Sequence, residues 1–108
     1  MLRTNTSFFF LYFVFLVCTQ ANSKTDIAII TNQEANKVDI IDLKDRKVTS
    51  QILVGKKPAG IVVDSSDSTI FISNPGSNNI SQINLKTLDQ KFLFGGKSPM
   101  GIQFDRTE

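Results

Sequence analysis

Asp64 and Asp105 stand 41 positions apart, each closing an apolar stretch that opens with Gly-Ile, at Gly60-Ile61 and Gly101-Ile102. Two carboxylates brought to one place could donate oxygens to a hard cation such as Ca²⁺, which takes at least about six. Alone they fall well short of that shell, and an Asp at a strand end equally serves as acceptor for the amides of the following turn. Asp39 and Asp42 lie three apart on one expected strand and so point to opposite faces. Their counterparts 42 positions on are Ser81 and Asn84, so a solvent-exposed or turn-bonding role fits them better than ligand binding. The chain has no His and no Trp, and its one Cys is Cys18. Beyond that Cys, Ser-His-Asp and Cys-His nucleophile systems and Cys/His zinc sites are excluded. No catalytic, cofactor-binding or metal-ligating residue is assigned, and no cofactor is expected.

Two further motifs point to bland chemistry. Gly95-Gly96-Lys97-Ser98 resembles the tail of a phosphate-binding loop, but the full motif needs Gly where Lys91 stands and a helix where Pro99 begins a strand. Gly55-Lys56-Lys57-Pro58 occupies the same place in an earlier copy, so both read as turns with an exposed, weakly anion-attracting lysine rim. Asn79-Ile80-Ser81 fits the N-glycosylation pattern but falls in a tight turn between strands.

What positions these residues is a repeat. Ile30-Thr31-Asn32 falls on Ile72-Ser73-Asn74, residues 38–44 on 80–86, and 55–61 on 96–102. The offset is 42 over the first two blocks and 41 over the last, which places a one-residue deletion in the polar loop 44–47 or its counterpart 86–89. Each copy divides into four strand-like segments: 26–31, 38–43, 48–54 and 60–63, then 69–73, 80–85, 91–94 and 101–104. β-branched residues dominate them, with partial alternation and no amphipathic helix. Asn32 and Asn74 close strands, and Asn36 and Asn78-Asn79 open the next, where Asn tolerates positive φ. Pro58 and Pro99 stand at strand starts, the place where a residue without an amide donor is allowed, with Gly60 and Gly101 two positions on. Asn32, Pro58, Gly60, Asn74, Pro99 and Gly101 thus define the repeat. A period near 40 residues built only of strands implies a β-propeller blade.

The first residues read differently. Arg3 precedes an apolar run over residues 8–18, and Thr19-Gln20-Ala21 ends it with small residues, the order of a secretory signal peptide over 1–21. The run is too short for a stable transmembrane anchor, which needs about 20 apolar residues. Cys18 leaves lipid attachment as the lesser alternative. Cleavage after Ala21 removes the only Cys, the only Tyr and Arg3, lowering the formal charge from +2 by one. No basic or acidic surface remains, so nucleic acid is not an expected partner.

The segments Ile29-Ile30-Thr31-Asn32 and Phe71-Ile72-Ser73-Asn74, the Asn-rich turns after them, Val38-Asp39-Ile40-Ile41-Asp42-Leu43, and Val54-Gly55-Lys56-Lys57-Pro58-Ala59-Gly60-Ile61 resemble YVTN-type β-propeller repeats. The likeness covers about residues 26–105, with repeats at about 26–64 and 69–105. Ile replaces the usual opening aromatic in the first copy, and Gly95 replaces the Val before Gly96. The resemblance implies an all-β fold of four-stranded antiparallel blades in a secreted, periplasmic or cell-surface protein. It also implies that Pro-x-Gly-Ile opens the innermost strand, which would put Asp64 and Asp105 near the mouth of a central channel. Related propellers include lactonases and subunits of quinoprotein oxidoreductases.

On that phase residues 22–108 hold the outer three strands of one blade, a complete second blade from Pro58, and the inner strand of a third from Pro99. Two blades' worth of strands forms an incomplete ring, since propellers have about four to eight blades. The expected partners are further blades of a longer chain, the preferred reading, or self-association, together with an unknown protein or small-molecule ligand. A binding or structural scaffold is preferred to part of a propeller enzyme.

Overall fold

The computed structural model describes residues 26–106. These residues form seven strands in two antiparallel sheets and no helix. In the first sheet β1 (Ile27–Asn32), β2 (Lys37–Asp42) and β3 (Lys47–Leu53) lie in chain order. In the second, β4 (Ile61–Asp64), β5 (Thr69–Asn74), β6 (Asn79–Asn84) and β7 (Gln90–Phe94) do the same. The chain is all-β: the outer three strands of one propeller blade followed by one complete blade. The expected signal peptide over 1–21, its cleavage site and Cys18 lie outside the described residues.

Two sequence expectations are corrected. Residues 101–104 are not a strand. A strand exists only in a ladder, and β4 finds its partner in β5, which follows it. No described residue after 104 offers the third inner segment an equivalent. It lies against the second blade through Phe104, whose ring meets Phe71 edge-on at 5.5 Å and 89°.

The second correction concerns the missing residue, which is not lost from a loop. Asp42 pairs with Lys47, and Asn84 N–H donates to Asp89 O at 3.0 Å, so the two polar loops have equal length. Instead the β2–β3 register shifts between Ile40, opposite Ser50, and Ile41, opposite Val48. Thr49 is the extra residue, held as a β-bulge, and its hydroxyl donates to Ile40 O at 3.2 Å. A bulge takes up one residue by bending a strand and leaves the rest of the ladder intact.

Alternation sets which face of each sheet is covered. Val38 and Ile40 on β2 are buried, whereas Lys37, Asp39 and Ile41 turn to the other face. On the second sheet Ile70, Ile72 and Ile83 are fully buried and face Val38. Ile29, Ile52, Val54, Ile61 and Leu85 pack around this cluster, which is the core between the blades. Each buried Ile contributes roughly 1.5–3 kcal/mol of transfer free energy. Apolar side chains stay open on the faces without a described neighbour: Ile30 is 47% and Leu53 72% exposed on the first sheet, opposite Asp39 and Lys37, and Leu93 is 41% exposed on the second, opposite Ile80.

The turns repeat with the strands. Asn36 and Asn78 take φ of 55° and 57°, a left-handed conformation that Asn tolerates better than most residues. Asp42 Oδ1 accepts from the amides of Lys44 and Asp45 at 2.8 and 3.0 Å, and Asn84 Oδ1 accepts from those of Lys86 and Thr87 at the same distances. Either an amide or a carboxylate serves because only the accepting oxygen is used, which accounts for Asp42 in turn-bonding terms.

Candidate functional site

At one end of the blades the connection from each outermost strand to the next inner segment is pinned to the turn that opens the middle strand. Lys57 N–H donates to Asn36 Oδ1 at 2.9 Å, and Ser98 N–H donates to Asn78 Oδ1 at 2.9 Å. Val54 N–H and Gly95 N–H donate to the carbonyls of the same two Asn residues, at 3.0 and 3.2 Å. Gly95-Gly96-Lys97-Ser98 is therefore a blade turn. Each of these four bonds is worth about 1 kcal/mol, and together they stiffen the loop.

The first of these connections also reaches across to the second blade. Lys56 N–H donates to Ser77 Oγ at 2.9 Å, and Gly76 N–H donates to Lys56 O at 2.9 Å. Ser77 Oγ donates in turn to Asn79 Oδ1, which also accepts from Asn74 Nδ2, both at 3.0 Å, and Asn74 Nδ2 donates to Ser81 Oγ at 3.0 Å. Asn74 and Ser81 are fully buried, and the network locks the loop onto the β5–β6 turn. Gly55 belongs there because an added Cβ would stand 2.6 Å from Asn74 Cβ. Over this framework lies an open cleft of about 450 Å³ lined by Gln33, Glu34, Asn36, Lys56 and Lys57.

The inner edge is built around Gly60 and Ser73. Ala59 N–H donates to Ser73 O at 2.9 Å and Ser73 N–H to Gly60 O at 3.0 Å, extending the β4–β5 ladder back toward Pro58, which is fully buried. Gly60 N–H also donates to Ser73 Oγ at 2.9 Å, and that hydroxyl donates to Met100 O in the next inner segment. The first copy repeats the last bond, with Thr31 Oγ1 donating to Ala59 O at 3.4 Å. A hydroxyl on the strand beside the inner one thus ties each blade to its successor.

At the opposite end, Asp64 Oδ1 accepts from Ser66 N–H at 3.2 Å and Ser66 Oγ at 2.7 Å, as a turn acceptor does. It also pairs with Arg106 at 3.2 Å, and that guanidinium lies 4.8 Å from the Phe104 ring centroid. The Ser66 hydroxyl holds the Asp64 carboxyl below its ordinary range; partial desolvation opposes the shift, and Arg106 adds to it. Asp105 is the neighbour of both Phe104 and Arg106 in the segment laid across the blade. Among the described residues no cluster of three His, Cys, Asp or Glu comes close enough to hold a metal ion. Asp39 sits on the open face of the first blade, paired with Lys37 at 3.6 Å and accepting from Gln51 Nε2 at 3.0 Å.

Sequence reasoning placed the turn Asn residues and the repeat glycines but missed Ser73, Arg106 and the Asn74 network. The signal for Ser73 was available: Thr31 and Ser73 both carry a hydroxyl at the same repeat position. Arg106 has no counterpart of its type, since Ser65 occupies its place in the first copy.

No family model matches the chain, and no curated protein matches it. Among solved structures, a chain of Kuenenia stuttgartiensis hydrazine synthase is similar with a TM-score of 0.66 and 24% identity, over 69% of this chain and 22% of that one. At that identity the likeness speaks for the fold alone, and this chain spans only a minor part of the other's length. That likeness of fold fits the two sheets: the described residues form three strands of one blade and four of the next in an incomplete β-propeller.

Proposed function

We propose that this chain is a secreted or periplasmic β-propeller segment of the YVTN-repeat type that acts as a binding or structural scaffold. The observation that carries this reading is the contrast at the turn face between a constant frame and changing side chains. The Asn36–Lys57 and Asn78–Ser98 anchors are alike. On that frame Gln33 and Glu34 give way to Pro75 and Gly76, and Lys57 to Ser98. A rigid frame with variable rim residues suits recognition of a protein or small molecule, with specificity held in loops. The leader over 1–21 supports export, with Ala21 the last residue removed and a lipid anchor at Cys18 the lesser alternative.

The second reading, part of a propeller enzyme of lactonase-like or quinoprotein-associated kind, draws on the likeness to a chain of hydrazine synthase. Under it Asp64 and Asp105 would line a channel whose remaining groups come from further blades.

The test is export followed by capture. Fractionation with intact-mass measurement should find the chain outside the cytoplasm, beginning at Asn22. Material retained by the exported protein should be lost when Gln33, Glu34, Lys56 and Lys57 are all replaced by Ala with the β-type circular dichroism unchanged. Retention of the same material by that variant would refute the turn face as the binding site. Turnover of a small lactone by the purified protein would favour the enzyme.

A further inference from the structure

Phe92 and Phe94 are 54% and 88% exposed although the blade they face is present. They stand opposite Ser81 and Asn79 on β6, and Ser81 and Ile83 are buried toward the first blade, so both rings belong to the face turned to it. Gln90, on the same face, already meets the last residue of β3, its Nε2 donating to Leu53 O at 2.8 Å. Phe92 and Phe94 follow about 7 and 14 Å further along β7, past the end of β3. The backbone of this strand is open as well. Gly95 N–H donates to Asn78 O and Asn84 N–H to Asp89 O, which marks the bonded pairs at the two ends of the β6–β7 ladder. Bonded and non-bonded pairs alternate, so Gln90, Phe92 and Phe94 turn their amides and carbonyls outward. β7 is the rim strand of its blade, and blades pack on one another through their faces, so further blades leave this edge as it is. We propose that β7 pairs antiparallel with β7 of a second copy of this chain, across a two-fold axis at Phe92, joining the two four-stranded sheets into one of eight strands. This adds a rim contact to the proposed scaffold and makes no use of its turn face.

Charge along the strand selects a second copy as occupant. At the far end of β7, Phe94 lines a small cleft of about 280 Å³ with Asn78, Gly96 and Lys97. Lys56 comes to the same end, bonded through Ser77 to Asn79, which stands opposite Phe94. Neither lysine belongs to an ion pair among the described residues, where Lys37 pairs with Asp39 and Arg106 with Asp64. At the near end Asp67, Asp89 and Lys91 line a polar cleft of about 310 Å³, and there the balance is acidic. Antiparallel pairing of the strand with itself brings the acidic end of each copy to the basic end of the other. The register closes as well. With Phe92 on the axis, Gln90 meets Phe94 of the second copy, so the three outward-turned residues of one strand meet the three of the other. The two Phe92 rings form an aromatic cross-strand pair, and each Lys91 stands opposite a Leu93 instead of another Lys91. β3 lacks this capacity, because the Thr49 bulge interrupts its ladder and Lys47 and Gln51 lie along it. Five paired residues make an interface below the standard size of about 1,200 Å², so the dimer dissociates on dilution.

Cysteines read this register directly. In a Cys18→Ser background, chains carrying Lys91→Cys are mixed with chains carrying Leu93→Cys and oxidised mildly. The two positions face each other across the axis with Cα atoms about 4.5 Å apart, whereas like positions stand about 8 Å apart, beyond the roughly 7 Å that a disulfide spans. Mixed disulfide dimers should therefore exceed like dimers at least about tenfold. Adding Phe92→Thr and Phe94→Thr to both chains, which keeps strand-forming residues, should lower the mixed yield about tenfold with β-type circular dichroism unchanged. Asp89→Lys in both chains should lower it as well, and Lys97→Asp added to the same chains should restore it. Equal yields of mixed and like dimers, no dimer from β-rich protein, or a charge reversal without rescue overturns the paired edge and leaves the blade reading intact. Loss of β-type circular dichroism from the Cys18→Ser parent overturns both.

Discussion

Replacing Gly60 by Ala adds one methyl at the place where the two inner segments touch. The added Cβ would lie 2.6 Å from Met100 O and 3.2 Å from both Ile102 Cγ2 and Ser73 Oγ. An ordinary carbon–oxygen contact is longer by about half an ångström, and Met100 O is a backbone atom held by the Ser73 hydroxyl. Two relaxations are open. The β4 backbone can absorb the overlap at the usual cost of overpacking, about 1–3 kcal/mol. Alternatively the segment beyond Pro99 can lift away, giving up a hydrogen bond worth about 1 kcal/mol and the Phe71–Phe104 edge contact worth about 0.5–1.5 kcal/mol. Both routes come to about 2 kcal/mol. Urea unfolding followed by far-ultraviolet circular dichroism, at matched protein concentration, should show that loss. Combination with Ser73→Ala should be less than additive by about 1 kcal/mol, because both changes act on one contact. Among the described residues a Cβ on Gly101 meets nothing within 4 Å, so Gly101→Ala should be as costly as Gly60→Ala only when a further blade lies over it. A cost below about 0.5 kcal/mol for Gly60→Ala would refute the close approach at the inner edge.

Ser73→Ala strands Gly60 N–H and Met100 O inside the junction and should cost about 1–3 kcal/mol in the same unfolding assay, whereas Thr31→Ala, with one long bond, should cost under about 1 kcal/mol. Deleting Thr49 should leave export yield and unfolding midpoint nearly unchanged, since it converts the bulged β2–β3 pairing to the form that β6 and β7 already have; deleting Asp45 should abolish both. Ile72→Ala empties a fully buried site in the junction and should cost about 2–5 kcal/mol. Asp64 has a folded pKa below its ordinary 3.8, so its contribution is fully present above that value and is lost as pH falls through the depressed pKa. The stability gap between the protein and its Asp64→Asn variant should therefore be constant near neutrality and close below about pH 4; a gap that narrows between pH 8 and 5 would count against the Asp64 assignment.

Most of the blade architecture was legible because each copy confirmed the other. Val38 aligned with Ile80 and Asn36 with Asn78 gave strand and turn in both, and seven of the eight expected strands are present. What escaped were features decided by neighbours in space. Residues 101–104 carry the same pattern as Ile61–Asp64, yet only the latter has a partner strand, and no pattern within a segment reports its partner. The displaced residue looked like a loop deletion because loops tolerate changes most readily; Thr49 shows that a strand with a bulge tolerates one too. Of the site, Asn36 and Asn78 were legible through their tolerance of positive φ. Their grip on Lys57 and Ser98, 21 and 20 positions away, was not. Asp64 was read as turn acceptor or channel ligand, and its bonds to Ser66 and Arg106 depend on how the last segment crosses the blade.

The central claim is that these blades are parts of a ring and do not stand alone, since Ile30 and Leu53 lie exposed on the open face of the first blade, Leu93 on the outgoing face of the second, and β1 has a bare inner edge among the described residues. The most direct test is the solution mass of the exported chain by light scattering, with circular dichroism on the same fraction. The account predicts that the chain is not a lone β-rich monomer: it associates, or it loses the β-type spectrum when kept as single copies. A β-rich species with the mass of one copy, stable on concentration, would contradict it.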